Sequence, residues 1–268
     1  MSQGECSENN LTTIEESRKT HSLPPVNRFS SWAERMEMLV PPLPWHRPIR
    51  LENGGPLVIL LHGLWRSHHA MAPLARSLHA SGFATLNLPY PSTRCSIYQL
   101  IQKLRPIIER ESEGRETLWI THSLGGILAR ALVAEGSPPP QRLVMLAPPN
   151  HGSEIVDFLS ASPLFSRILG PAGRDLGTQG APSILPFPPE CLETMVIMGR
   201  RSSIPFFRPL LDGDNDGIVC VERGKIPGCQ HFHIVDADHT FIQVHPDTLR
   251  LCLDFFQAPA ITGPRSAF

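Results

Sequence analysis

The stretch Leu118-Trp119-Ile120-Thr121-His122-Ser123-Leu124-Gly125-Gly126 sets a serine between a short apolar run and two glycines. A helical apolar pattern, Ile127-Leu128-Ala129-Arg130-Ala131-Leu132, starts at once. The order is strand, sharp turn, helix, with Ser123 at the apex. A serine hydroxyl is a poor nucleophile until a base takes its proton. A strained turn at the carboxyl edge of a sheet also lifts it clear of the backbone. Close strand–helix approach at such a turn calls for small residues two before and two after the serine. Gly125 meets this need, whereas Thr121 stands where glycine is usual.

The base and the acid should follow the serine in the order acid, then histidine. His239, in Asp236-Ala237-Asp238-His239-Thr240, lies between the last apolar strand pattern and the last helical one. A loop there can swing an imidazole back over the sheet edge. His231 and His233 fall on or beside the strand and His245 in the helix region, where a core or surface role is the simpler reading. The acid should come from the preceding loop, Asp212-Gly213-Asp214-Asn215-Asp216-Gly217-Ile218-Val219. Asp216 directly precedes an apolar pair that can bury it, and a buried carboxylate fixes the tautomer of its histidine. Asp214 and Asp212 are the alternatives. The same run has the first half of an EF-hand calcium loop, but position twelve is Arg223 instead of a bidentate glutamate, and its flanks look like strands.

Acyl transfer builds negative charge on a carbonyl oxygen, which needs amide donors already in place. The backbone N–H of Leu124, at the start of the helix after Ser123, is one. The second should come from the loop His62-Gly63-Leu64 after the first buried strand, with Leu64 as donor and Trp65 as the fallback. The side chain of His62 reads as structural.

Several further elements are needed to position these residues. Pro56 to Leu61, Phe83 to Leu88, Thr117 to His122, Arg142 to Ala147, Thr194 to Gly199 and Phe232 to Val235 are apolar runs of strand length. Amphipathic patterns lie between them: Met71, Leu74, Ala75 and Leu78; then Ile97 to Ile108; then the helix after Ser123. Leu249, Cys252, Leu253 and Phe256 close the series. This alternation predicts an α/β fold, a doubly wound and mostly parallel sheet, with reactive loops at the carboxyl ends of its strands. From about 150 to 190 the alternation lapses among prolines and glycines. A structureless loop of that length is uncommon in a compact domain, so short helices forming a small cap-like insertion are expected.

The division expected is an N-terminal arm over residues 1–50, a catalytic domain over 51–258 and a tail over 259–268. In the arm, Ser31 and Glu34 have capping-box spacing, and Trp32, Met36, Leu39 and Val40 predict one apolar stripe on a short helix near 32–40 that packs on the domain.

At 268 residues the chain has ample length for one large domain. Its net charge of −1, with no basic run, argues against nucleic acid or an anionic membrane as partner. No run approaches the roughly 20 apolar residues of a membrane span. The polar, acidic opening is unlike a secretory signal. Six scattered cysteines without a C-x-x-C pair fit a reduced, cytoplasmic protein. No metal-ligand quartet, phosphate-binding glycine fingerprint or catalytic-loop lysine is visible, so no cofactor or metal is expected.

Taken together, Leu60-Leu61-His62-Gly63, Thr121-His122-Ser123-Leu124-Gly125-Gly126, Asp216-Gly217-Ile218-Val219 and Asp238-His239 resemble the α/β-hydrolase superfamily, its lipase and esterase branch in particular. Leu146-Ala147-Pro148-Pro149-Asn150-His151-Gly152-Ser153 is similar to a Pro-x-x-Gly-Ser turn found in many of those lipases. The resemblance covers about residues 55–256. It implies a serine hydrolase acting on small-molecule carboxylic esters through Ser123, Asp216 and His239, and the apolar section from Ile155 to Leu185, read as lining or covering an acyl pocket, suggests apolar acyl groups. A thioesterase or amidase would share this machinery. An inactive scaffold that binds a partner is the alternative from another class.

Overall fold

The computed structural model describes residues 32–43, 46–203 and 205–259. Helix α1 (Trp32–Glu37) leads to strand β1 (Ile49–Leu51) and then to β2 (Leu57–Leu61), α2 (Ala72–Ala80), β3 (Ala84–Leu88), α3 (Ile97–Ser112), β4 (Thr117–His122), α4 (Leu124–Ala134) and β5 (Arg142–Leu146). Three helices interrupt the alternation: α5 (Glu154–Ser160), α6 (Pro163–Arg174) and α7 (Ala181–Ile184). Strands β6 (Glu193–Gly199) and β7 (His231–Val235) and helix α8 (Pro246–Gln257) complete the chain. The sheet has seven strands in the order β1-β3-β2-β4-β5-β6-β7. All neighbours are parallel except β1, which runs antiparallel to β3.

Central strands of this sheet are apolar along their whole length because both faces are covered. Leu57, Ile59 and Leu61 of β2 join Trp119, Leu143, Met145 and Val196 in a core shared with α3 and α4. Val58 and Leu60 point the other way, joining Leu118, Ile120, Val144 and Leu146 in a core shared with α2 and α8. Helix α3 starts at a reciprocal cap: the Gln99 N–H donates to Ser96 Oγ, and the Ser96 N–H donates to Gln99 Oε1.

Two features of the arm differ from the sequence expectation. Strand β1 begins at Ile49, so the boundary read at residue 51 falls inside an edge strand. The expected apolar stripe is not what packs, since Trp32, Met36 and Leu39 are exposed. Helix α1 ends at Glu37 and gives way to a turn, which breaks the helical spacing on which that stripe depended. Met38 turns inward instead and packs with Ala70 and Val244. Ser31, the expected cap, lies outside the described residues, as do Cys6 and residues 260–268.

The insertion is built on the sheet's carboxyl edge. The Ala172 N–H donates to the Cys95 carbonyl, the Ser153 N–H to that of Leu176, and Ser153 Oγ to that of Ile218. Arg130, buried in α4, donates to the carbonyls of Asn150, Pro182, Leu185 and Pro186, and its guanidinium lies 4.5 Å from the centre of the Phe187 ring. Four of its donor directions are thereby directed at acceptors of the insertion. Burial lowers its pKa to about 10.

Candidate active site

Strand β4 passes directly into α4 through Ser123, which has φ 51° and ψ −118°. A non-glycine residue held at positive φ costs about 1–3 kcal/mol unless its surroundings impose it. The surroundings here are rigid. The Ser123 N–H donates to the Leu146 carbonyl at 2.9 Å, and the Gly126 N–H donates back to the Ser123 carbonyl at 2.9 Å. A Cβ on Gly125 would come within 2.6 Å of the Leu61 carbonyl oxygen, so only glycine lets α4 approach β2 this closely. Thr121 is fully buried, and its hydroxyl donates to the Val144 carbonyl at 3.2 Å. It faces Gly126, where an added Cβ would already be 3.1 Å from Pro148. The second glycine after the elbow thus gives room on the side that threonine occupies.

Asp216, His239 and Ser123 meet above the strand tips. His239 Nδ1–H donates to Asp216 Oδ2 at 2.7 Å, and Ser123 Oγ–H donates to His239 Nε2 at 3.0 Å. The other oxygen of Asp216 accepts the N–H groups of Ile218 at 3.0 Å and Val219 at 2.8 Å. The His239 N–H also donates to the Asp216 carbonyl at 3.0 Å, which ties the two loops together. Asp216 is buried, whereas Asp212 and Asp214 are exposed. Gly199, at the end of β6, makes room beneath the acid: a Cβ there would sit 3.0 Å from that of Asp216 and collide with the Ala237 carbonyl. No cluster of metal-binding side chains forms at the acidic run among the described residues.

Of the other histidines weighed, His231 and His233 lie on β7, and His245 caps α8, its Nδ1 accepting the Asp247 N–H. Two more histidines support the site without touching Ser123 Oγ. His122 is buried, and its Nε2–H donates to the His239 carbonyl at 2.8 Å, with the two rings 5.1 Å apart. Burial holds its pKa well below the ordinary imidazole value. His62 is stacked on Tyr90 at 3.8 Å. Its Nδ1–H donates to the Gly63 carbonyl at 2.9 Å, the Tyr90 N–H reaches its Nε2 at 3.4 Å, and the Tyr90 hydroxyl donates to its carbonyl. Burial pushes His62 down to about 3, so it is a neutral brace for the turn after β2.

That turn lies against the elbow. A Cβ on Gly63 would be 3.2 Å from that of Ser123 and 2.8 Å from His122 Nδ1. The Arg66 N–H closes the turn on the Gly63 carbonyl, and Trp65 takes φ 62°. The residue before Leu64 is thus packed against Ser123, and Leu124 follows Ser123 directly in the chain. As the first residue of α4, Leu124 has no carbonyl a turn earlier in the helix for its N–H. The Leu64 N–H has no backbone partner among the described residues. The Leu64 side chain reaches α6, close enough that a Cβ on Gly173 would be 2.9 Å from it.

His122 and Gly199 were not singled out in the sequence. The spacing offers no signal for either, since His122 meets a carbonyl 117 residues away.

No protein-family model matches the sequence. No curated protein matches it either. Comparison with solved structures shows that the fold is that of the α/β-hydrolases. The mature form of the Bacillus licheniformis lipase BlEst2 is 20% identical and has a TM-score of 0.62, over 79% of this chain and 98% of that one. The phospholipase PlaB from Legionella pneumophila is 17% identical with a TM-score of 0.58, over 77% of this chain and 60% of that one. MGS-MChE2, an α/β-hydrolase enzyme from a lagoon-sediment metagenome, is 17% identical with a TM-score of 0.53, over 78% and 93%. No helix among the described residues is long and apolar enough to cross a membrane.

Proposed function

Starting from an α/β-hydrolase fold with a serine at its elbow, we propose that the chain is a serine hydrolase that cleaves carboxylic esters through an acyl-enzyme. The observation that carries this reading is the continuous relay from Ser123 Oγ through both nitrogens of His239 to Asp216. Asp216 holds the proton on Nδ1, so the Nε2 lone pair faces the serine hydroxyl. As Ser123 Oγ attacks the ester carbonyl, its proton passes to Nε2 and the buried carboxylate stabilises the imidazolium. In this reading the N–H groups of Leu64 and Leu124 hold the oxyanion as charge develops on it. His239 then returns the proton to the departing alcohol oxygen. Water, deprotonated by the same nitrogen, releases the acid in a second attack.

No metal or organic cofactor takes part in these steps. Support for apolar acyl groups comes from the insertion, where Phe158, Leu164, Phe165 and Ile168 are partly exposed on α5 and α6, with Leu64 packed on the same α6. A panel of nitrophenyl esters and acyl thioesters of increasing chain length tests the reading. The expected result is hydrolysis of the esters, with kcat/KM rising from acetyl to longer acyl groups. Exclusive turnover of thioesters would reassign the substrate class, and no turnover of either would favour a scaffold.

A further inference from the structure

We propose that His46, His68 and His69 form a binding site for a divalent transition-metal ion, Zn2+ by the nature of its donors, which fastens the N-terminal segment to the loop after β2. Each ring offers a nitrogen, and the three nitrogens lie within 4.8 Å of one another. The ring centres are 4.8 Å apart for His46 and His68, 5.2 Å for His46 and His69, and 4.4 Å for His68 and His69. Nitrogens about 2.05 Å from a tetrahedral ion are roughly 3.3 Å from each other, so small ring rotations close the cluster. Three imidazoles leave the fourth position to water, and nitrogen donors of this kind suit zinc, copper or nickel.

Three further observations point to a ligand. His68 is 3% exposed, yet its Nδ1 has no hydrogen-bond partner among the described residues, and an orphaned buried nitrogen is rare in folded proteins. Behind His69 stands a carboxylate: Glu37 Oε1 is 3.4 Å from His69 Nδ1, and its other oxygen, Oε2, accepts from Arg76 at 3.1 Å. A carboxylate in that position keeps the proton on one ring nitrogen and turns the other toward an ion. The Leu43 N–H reaches His46 Nδ1 only at 3.4 Å, the weak end of hydrogen bonding, so that ring is loosely committed.

The donors come from two segments that already touch. Met38 packs on Ala70, and Ser67 Oγ donates to the Val40 carbonyl at 2.8 Å. His46 lies six residues beyond Val40 and His68 four residues beyond Leu64. An ion there would join the two segments covalently in effect, next to the turn that presents the Leu64 amide. The site is independent of the relay, so it stands or falls apart from the ester-hydrolase reading.

The test is a titration of chelator-stripped full-length protein with Zn2+, by calorimetry and thermal unfolding, with Co2+ spectra as a check on ligand type. One ion per chain is expected, with Tm rising by about 5 °C or more at a hundredfold excess over Kd. His46→Ala and His69→Ala should each weaken the affinity by about 10-fold or more and remove the rise in Tm. His69→Gln serves if either fails to fold. Co2+ should give a nitrogen-ligand spectrum without thiolate charge transfer. Absence of stoichiometric binding, unchanged affinity in the variants, or a thiolate band marking the free cysteines as the donors would each overturn the proposal.

Discussion

Burial separates the three acids of the Asp212–Asp216 run, which the sequence alone left open. Only Asp216 is withdrawn from water, and both of its oxygens are committed, one to His239 and one to the amides of Ile218 and Val219. Asp216→Asn should therefore lower kcat by about 10⁴-fold, because the amide can stabilise the wrong imidazole tautomer. Asp214→Asn should leave ester turnover within about twofold, since that side chain is exposed. Steady-state kinetics on the two variants check this, and comparable losses would mean that the loop, not one carboxylate, matters. The elbow serine and the histidine it meets could be located because each lies where a strand pattern gives way to a helical one, which apolar periodicity marks. His122 was not legible, since a neighbour in sequence to the serine acts here through a carbonyl distant along the chain.

At the level of elements, apolar runs announced six of the seven strands, and the lapse after Pro149 announced helices α5 to α7. Strand β1 escaped notice because Ile49-Arg50-Leu51 is too short to show a period. Met38 escaped because it is buried by a turn and not by helical spacing. Arg130 was read as one more residue of a helical pattern, yet its guanidinium gathers the carbonyls of the insertion onto α4. Lysine cannot reproduce that fork, because it is a point charge with three donors. Arg130→Lys should lower Tm by several degrees, from stranded carbonyl acceptors worth about 1–3 kcal/mol each. It should also speed proteolysis between α5 and β6, as limited digestion would show. Unaltered digestion would mean that apolar packing alone seats the insertion.

Across the whole molecule, burial depresses the pKa of several histidines. His62, with its pKa pushed down to about 3, and His68, down to about 4, must both become charged more readily when the chain unfolds. Their depressed values mean that the unfolded state binds protons first on acidification. The stability they confer is complete above the unfolded value near 6.5 and is lost progressively as the pH falls toward 3–4. Each contributes a slope of up to about 1.4 kcal/mol per pH unit in that window. Denaturant unfolding at pH 7.5, 6.5, 5.5 and 4.5 should show a small loss, about 0.7 kcal/mol for the two groups, between the first two and a steep decline below. A flat profile down to pH 4.5 would contradict buried neutral imidazoles.

The central claim is that Ser123 is activated by His239 and Asp216 for attack on an acyl carbon. Reaction with a fluorophosphonate that labels activated serines, followed by peptide mass spectrometry, tests it most directly. The account predicts one adduct per chain, on Ser123, absent in Ser123→Ala and slowed by orders of magnitude in His239→Ala. An adduct on another residue, or an unlabelled Ser123 in folded protein, would contradict it.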